Sequence, residues 1–170
     1  SPYNNITGNV GLSYVGIDKA YFPTQGTKAS ISATVAAPIF KSSTPYYMLN
    51  LSTKTYVPLG GSFIFNPHSI VSYGHGYDSN STLPFFKNIY GGGIETLPGY
   101  QPGGLGPYYT YTTDSSTYTS SLGGNLMAIA GVDLIFPNPF PNSLRTSFLV
   151  DAGNVFQTAD LIKNSTEPSV

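Results

Sequence analysis

Residues 27–37 read TKASISATVAA, and apolar and polar side chains alternate along this stretch. Ala29, Ile31 and Val35 fall on one side of the alternation, whereas lysine and serine residues fall on the other. A two-residue period is typical of a β-strand with one apolar and one polar face. Ordinary strands have about 5–6 residues, whereas a tilted strand needs about 9–11 residues to cross a bilayer. The stretch is therefore long enough to span a membrane.

Similar alternation recurs along the chain in stretches of comparable length. The clearest of these lie at residues 46–57, 126–136 and 144–152, and less regular ones lie at 9–18 and 63–77. Pro67 lies within the 63–77 stretch, and because proline cannot donate to a strand ladder we expect an edge strand, a bulge or a local break there. The sequence therefore predicts about six strands and no helix longer than a turn or two.

The composition favours a membrane β-structure over a soluble domain. Charged residues make up 9% of the chain, whereas a soluble domain carries about 25%. No apolar run approaches the roughly 20 residues of a membrane helix, and the 14 tyrosines suit the aromatic girdles of an outer-membrane barrel. We therefore predict an all-β fold, namely an antiparallel transmembrane β-barrel segment.

The same composition excludes several functional classes. Lysine and arginine together number seven, too few for a nucleic-acid-binding surface. The absence of cysteine excludes a disulfide framework and a thiolate metal site. His68 and His75 lack further ligands at a suitable spacing, so we expect neither a metal site nor a cofactor.

The alternation also assigns the two faces of the strands. We expect lipid to contact the apolar face, which carries Ala29, Ile31, Val35, Leu49, Leu51, Leu126, Ala128, Val132, Phe148 and Val150. The opposite face carries Asp133, Arg145 and Asp151 and would line the barrel interior. The two aspartates could be read as a general acid/base pair. We favour a structural role, because no nucleophile or cofactor motif accompanies them, and we predict no enzymatic activity.

The strands leave one long connection, which we place at about residues 78–121. It contains Gly-Gly-Gly at 91–93 and Pro-Gly-Gly at 102–104 and ends in a Tyr/Thr/Ser-rich run. Loops of this length are usually functional or disordered. We therefore divide the chain into a partial barrel over residues 1–160, interrupted by this long loop, which the family resemblance described next implies to be extracellular, and a polar tail over 161–170.

Several motifs, in order, resemble the barrel of the BamA family of outer-membrane protein assembly factors. Residues 18–26 read DKAYFPTQG, residues 83–93 read LPFFKNIYGGG and residues 144–153 read LRTSFLVDAG. The resemblance runs from about residue 9 to residue 156. It implies about six strands of a sixteen-stranded barrel that follows periplasmic POTRA domains. Because six strands cannot close a barrel, we expect the chain to be part of a larger one.

The resemblance also implies a function and its partners. Members of the family insert other barrels into the bacterial outer membrane without bond-making chemistry. Their partners are unfolded outer-membrane proteins, the lipid bilayer and accessory assembly lipoproteins that bind the periplasmic domains. Two alternatives stay open at this point. One is a two-partner secretion or TamA-like translocation barrel, and the other is a soluble secreted β-sandwich that binds a ligand.

The resemblance identifies residues 97–100 as the tip of the family's sixth extracellular loop. This tip, Leu97-Pro98-Gly99-Tyr100, has proline where the family has an arginine that meets acidic residues of the inner wall. The resemblance implies that Asp133 and Asp151 correspond to the acids that meet this arginine in the family, with Gly153 beside them. Arg145 and ordered water are then candidate partners for the acids. Because proline fixes φ and lacks an N–H, we expect the geometry of the loop to differ.

Overall fold

The computed structural model describes residues 4–41, 43–77, 83–113, 116–139 and 143–158. The strands in chain order are β1 (Ile6–Ile17), β2 (Gly26–Ala37), β3 (Tyr46–Gly60), β4 (Phe63–Gly76), β5 (Tyr108–Thr113), β6 (Ser116–Ser121), β7 (Leu126–Ile135) and β8 (Ser147–Phe156). A single turn of 3₁₀-helix covers Phe85–Lys87. Within the described residues, no helix is long and apolar enough to cross a membrane. The proposed polar tail at 161–170 lies outside the described residues.

Six of the described strands form one antiparallel sheet in the order β1-β2-β3-β4-β7-β8. This sheet therefore has five strand pairs, and in four of them the strands also follow one another in the chain. The fifth pair, β4–β7, spans the long loop, and β1 and β8 form the two edges of the sheet. The predicted all-β antiparallel fold is confirmed. The last strand starts at Ser147 rather than at 144, because residues 144–146 still belong to the turn that precedes it.

The register carries one row of apolar side chains across the sheet. Leu12 pairs with Ile31, Ile31 with Leu51, Leu51 with Val71, and Val71 with Ala128. Paired residues lie on the same side of a sheet, so this row defines one surface, which we call the outer face. By the same register, the ten residues expected to contact lipid all lie on the outer face. The opposite surface is called the inner face.

Pro67 produces a local break inside the sheet rather than an edge. The β4–β7 ladder continues through Pro67, which pairs with Val132. The β3–β4 ladder, in contrast, has no pair between Lys54–His68 and Val57–Phe65 among the described residues. The side-chain amide of Asn66 donates to the carbonyl oxygen of Thr55 at 2.8 Å. The buried asparagine thus supplies a donor beside the position where proline has none.

The turn between β1 and β2 is closed by the carboxylate of Asp18. Asp18 Oδ1 accepts from the backbone N–H groups of Thr24, at 2.8 Å, and Gln25, at 3.1 Å, and the Thr24 hydroxyl donates to Oδ2. These bonds, the Thr24 hydroxyl first, hold the pKa of the Asp18 carboxyl well below its usual range. The charged carboxylate therefore fixes the conformation of this turn.

The Tyr/Thr/Ser-rich run forms a hairpin, whereas the sequence suggested an irregular loop. β5 and β6 pair along their length, with Tyr111 opposite Tyr118 and their rings stacked at 5.2 Å between centroids. Tyrosine and threonine favour strands, and cross-strand aromatic pairs stabilise them. The base of the hairpin is closed by Leu122 N–H, which donates to the Pro107 carbonyl at 2.9 Å.

Candidate functional site

The long loop between β4 and β7 folds back onto the inner face. Buried Ile89, Leu97 and Leu105 of this loop pack in one apolar cluster with side chains of the wall. The wall contributes Met127 and Ile129 of β7 and Val155 of β8. Leu97 at the loop tip is only 2% exposed. Burial of several aliphatic side chains at about 1.5–3 kcal/mol each is enough to hold the loop in place.

Backbone hydrogen bonds and one glycine bring the loop close to the wall. Ile89 and Gly124 exchange two backbone bonds of 2.7 and 2.9 Å. Gly91 lies directly on β7 and β8, where an added Cβ would come within 3.0 Å of Met127 Sδ and of Val155. A larger residue would push the loop away from these side chains. The loop therefore docks without the arginine that the resemblance led us to look for at its tip.

Beside the loop tip, a polar cluster occupies the inner face. His68 Nε2 of β4 lies 2.9 Å from Asp151 Oδ1 of β8, although β7 runs between the two strands. Gly131 is the β7 residue that pairs with both. A Cβ at this position would overlap Asp151 Oδ1 and lie 2.9 Å from His68 Nε2. The missing side chain of Gly131 therefore lets the histidine reach the aspartate across β7.

Asp133 completes this cluster. Ligand-capable atoms of His68, Asp133 and Asp151 all lie within 4.8 Å of one another. The side chain of Asp151 is 6% exposed and that of His68 is 17% exposed. Neither Asp151 Oδ1 nor His68 Nδ1 has a hydrogen-bond partner among the described residues. The contact of 2.9 Å is thus a close approach without the alignment of a hydrogen bond.

The cluster opens into a cavity of about 340 Å³ between the wall and the loop tip. Pro98 lines this cavity, and so do Glu95 of the loop and Lys54 of β3. Pro98 thus lines the same cavity as Asp133 and Asp151. Proline at position 98 supplies no positive charge to this cavity.

The remaining residues of the predicted site have different surroundings. Gly99 and Tyr100 of the tip are exposed, Tyr100 to 55%. Gly153 pairs with Ile129, and an added Cβ would lie 2.6 Å from Ile129 Cγ1, so its role is to make room for the apolar cluster.

The prediction that Arg145 is a candidate partner of the two acids is corrected by the structure, in which Arg145 contacts the β1–β2 turn. Its Nη2 donates to the Pro23 carbonyl at 2.6 Å, and its guanidinium lies 5.4 Å from the Phe22 ring centroid. Arg145 precedes β8, so the strand alternation that placed it beside Asp151 does not extend to it. It fastens the β1–β2 turn to the β7–β8 turn instead.

Sequence reasoning missed His68 as a member of this cluster. Its distance along the chain from Asp133 and Asp151 gave no spacing that resembles a known site. The only signal that could have found it was the strand register, in which His68 faces Gly131 and Gly131 faces Asp151. That register depends on β4 pairing with β7 across the entire loop.

Comparison with known proteins agrees with this architecture. The Omp85 superfamily domain matches residues 1–169 of the chain. The chain belongs to the Omp85 superfamily. Omp85 proteins are β-barrels of the bacterial outer membrane, so the chain is a segment of such a barrel. The soluble β-sandwich considered from the sequence is therefore excluded.

Two similar proteins, one curated sequence and one solved structure, are both BamA proteins. The outer membrane protein assembly factor BamA of Neisseria meningitidis serogroup B is 33% identical over 162 residues, which cover 94% of this chain and 20% of that protein. The crystal structure of Haemophilus ducreyi BamA lacking POTRA domains 1–3 matches with a TM-score of 0.79 and 28% identity. That match covers 95% of this chain and 32% of the solved chain. The chain therefore spans about a fifth of the length of the Neisseria protein.

Proposed function

We propose that the protein takes part in assembling and inserting β-barrel proteins into the outer membrane, without a bond-making step. The observation that carries this proposal is the 33% identity to the Neisseria assembly factor along 94% of the chain. The docked loop adds to it. Leu97 and its neighbours pack on Met127, Ile129 and Val155, so the loop covers the inner face over β7 and β8.

The outer face suits contact with lipid. Its middle carries exposed aliphatic residues such as Ile31, Leu51 and Val132. Aromatic side chains group toward both ends of the strands, with Tyr47 and Tyr73 at one end and phenylalanines at the other. An apolar band between two aromatic girdles is typical of an outer-membrane barrel. We therefore assign the ten residues of the apolar face to lipid.

The partners follow from the same proposal. Unfolded outer-membrane proteins are the substrates, and they gain strand pairing at an open sheet edge during insertion. Accessory assembly lipoproteins bind periplasmic domains of the full-length protein. Buried Leu97 at the tip keeps the loop on the wall during these events, beside the cavity that Asp133 and Asp151 line.

A reconstitution experiment tests this function. The full-length protein is placed in liposomes, and the folding rate of an unfolded outer-membrane barrel protein is measured by its resistance to added protease. We expect folding to be faster than in empty liposomes and slower when Leu97 is replaced by aspartate. The matched variant Tyr100→Asp, at the exposed side of the same tip, should behave as the unchanged protein. Transport of a soluble polypeptide without barrel insertion would instead identify a translocation barrel.

A further inference from the structure

We propose that His68, Asp133 and Asp151 bind a divalent first-row metal ion such as Zn²⁺ on the inner face, beneath the loop tip. The proposal goes beyond the assembly function and rests on the geometry of the wall and loop alone. It replaces the expectation, drawn from residue spacing, that His68 has too few possible ligands around it.

The arrangement of the three side chains fits such an ion. Their donor atoms lie within 4.8 Å of one another, and His68 Nε2 and Asp151 Oδ1 are already 2.9 Å apart. Bond lengths near 2.0 Å place the ligands of tetrahedral zinc about 3.3 Å from each other. Small rotamer changes therefore suffice to bring all three atoms into one coordination sphere. One imidazole with two carboxylates is a donor set that first-row divalent ions accept.

The buried carboxylate of Asp151 is stabilised when a positive charge lies beside it. The Asp151 side chain is 94% buried, and its Oδ1 has no hydrogen-bond partner among the described residues. A buried carboxylate is costly unless it is paired or coordinates a metal. Asp133 lines the same cavity and adds a second negative charge. A divalent cation would balance both carboxylates.

Besides His68, which forms an ion pair with Asp151 only when it is protonated, Lys54 is the competing source of positive charge at this place. Lys54 pairs in register with His68 and lines the cavity. However, no ion pair joins Lys54 to either aspartate in the described part of the chain, and the lysine is exposed. This arrangement favours an external cation over the lysine ammonium as the partner of the two acids.

The loop offers a fourth ligand. Glu95 lines the cavity from the loop side, next to the turn in which Leu97 N–H donates to Gly93 O at 2.9 Å. An ion held by three wall residues and Glu95 would join β4, β7, β8 and the loop at one point. It would supply at the loop tip the positive charge that Pro98 does not carry.

Zinc titration of the full-length protein tests the proposal. The folded protein is freed of metal with a chelator in detergent and titrated with Zn²⁺ in a calorimeter. We expect His68→Gln and Asp151→Asn each to raise the Kd of this site by roughly tenfold or more. His75→Gln is the matched control, because His75 lies on the same strand but on the outer face, stacked on Tyr73. This control should leave the Kd unchanged.

Two further measurements keep the result unambiguous. Faster migration of the unheated variants in SDS gels shows that they are folded, and Co²⁺ substitution should give a visible absorption band that His68→Gln removes. Glu95→Gln should weaken binding less than the wall variants. Equal zinc binding by His68→Gln and His75→Gln would overturn the proposal, as would zinc binding at the cluster only after Lys54→Met. Because these readouts are independent of barrel insertion, their failure would leave the proposed assembly function standing.

Discussion

His68 Nε2 contacts Asp151 Oδ1 at 2.9 Å across an intervening strand, and the contact exists only because position 131 carries no side chain. Neighbouring strands lie about 4.8 Å apart, so residues two strands away normally cannot touch. Gly131 lies between His68 and Asp151, and because it has no side chain these two residues can reach each other across β7. The inner wall thus contains a polar contact that no pairwise strand rule describes.

Gly131→Ala tests this contact directly. The new Cβ would overlap Asp151 Oδ1, so the histidine and aspartate must separate, at a cost of about 1–3 kcal/mol for overpacking. We expect a lower unfolding temperature of the full-length barrel in heated SDS gels. Gly8→Ala is the control, because an added Cβ at Gly8 meets no atom within 4 Å. Equal effects of the two variants would contradict the contact.

Leu97→Ala should release the loop tip from the wall. The side chain is 2% exposed within the apolar cluster, and its truncation costs about 2–5 kcal/mol in a packed core. We expect faster protease cleavage of the loop at residues 83–107 in the folded full-length protein. Tyr100→Ala, at an exposed residue of the same tip, should cleave at the original rate. Unchanged cleavage of the Leu97 variant would mean that other contacts hold the loop.

Two lysine substitutions at neighbouring positions test which face meets lipid. Ile31 lies on the outer face, and Ser30 lies on the inner face of the same strand. A lysine near the bilayer midplane costs about 2–4 kcal/mol on the lipid side. We therefore expect Ile31→Lys, but not Ser30→Lys, to reduce the folded fraction of the full-length protein in liposomes. The reverse order would invert the assignment of the two faces.

Acid should weaken the β1–β2 turn. The pKa of the Asp18 carboxyl is lower in the folded than in the unfolded protein, where it has its ordinary value of 3.8. The charged carboxylate therefore stabilises the fold above pH 3.8, and this contribution is lost progressively as the pH falls further. We expect Asp18→Ala to lower the unfolding temperature at neutral pH. The difference from the unchanged protein should shrink steadily below pH 3.8. A difference that is independent of pH would show that the charge plays no part.

Asn66 and Pro67 should be coupled. Asn66→Ala removes the donor to Thr55 O and should cost about 1–3 kcal/mol, since the carbonyl of this partly buried contact loses its donor. Pro67→Ala restores a backbone N–H at the residue next to Asn66, and we expect this N–H to donate to the same carbonyl. The asparagine substitution should therefore cost less in the alanine background, as measured by a double-mutant cycle of unfolding temperatures. Strict additivity would indicate that the two donors serve different acceptors.

The sequence predicted the sheet better than the site. Alternation alone places Ile31 and Leu51 on one face, because a two-residue period follows from strand geometry. It does not explain Met127 and Ile129, which are apolar on the inner face, because the reason is a loop that docks there. The His68–Asp151 contact depends on register across that loop, and Arg145 lies just outside the range of the alternation. Local patterns therefore predict faces, whereas cross-strand partners require the folded chain.

The hydrogen bond from Leu122 N–H to Pro107 O separates the long loop into a docked segment and a hairpin. The docked segment, which precedes Pro107, is fixed to the wall through Ile89, Leu97 and Leu105. The strands that it encloses, β5 and β6, form an exposed hairpin of tyrosine, threonine and serine, held by its own strand pairing and by the bond from the Tyr108 hydroxyl to the Gly104 carbonyl. Substitutions and insertions in the hairpin therefore leave the wall undisturbed. The hairpin is therefore the part of the loop in which sequence can diverge, or a tag can be inserted, while the docked segment stays constant.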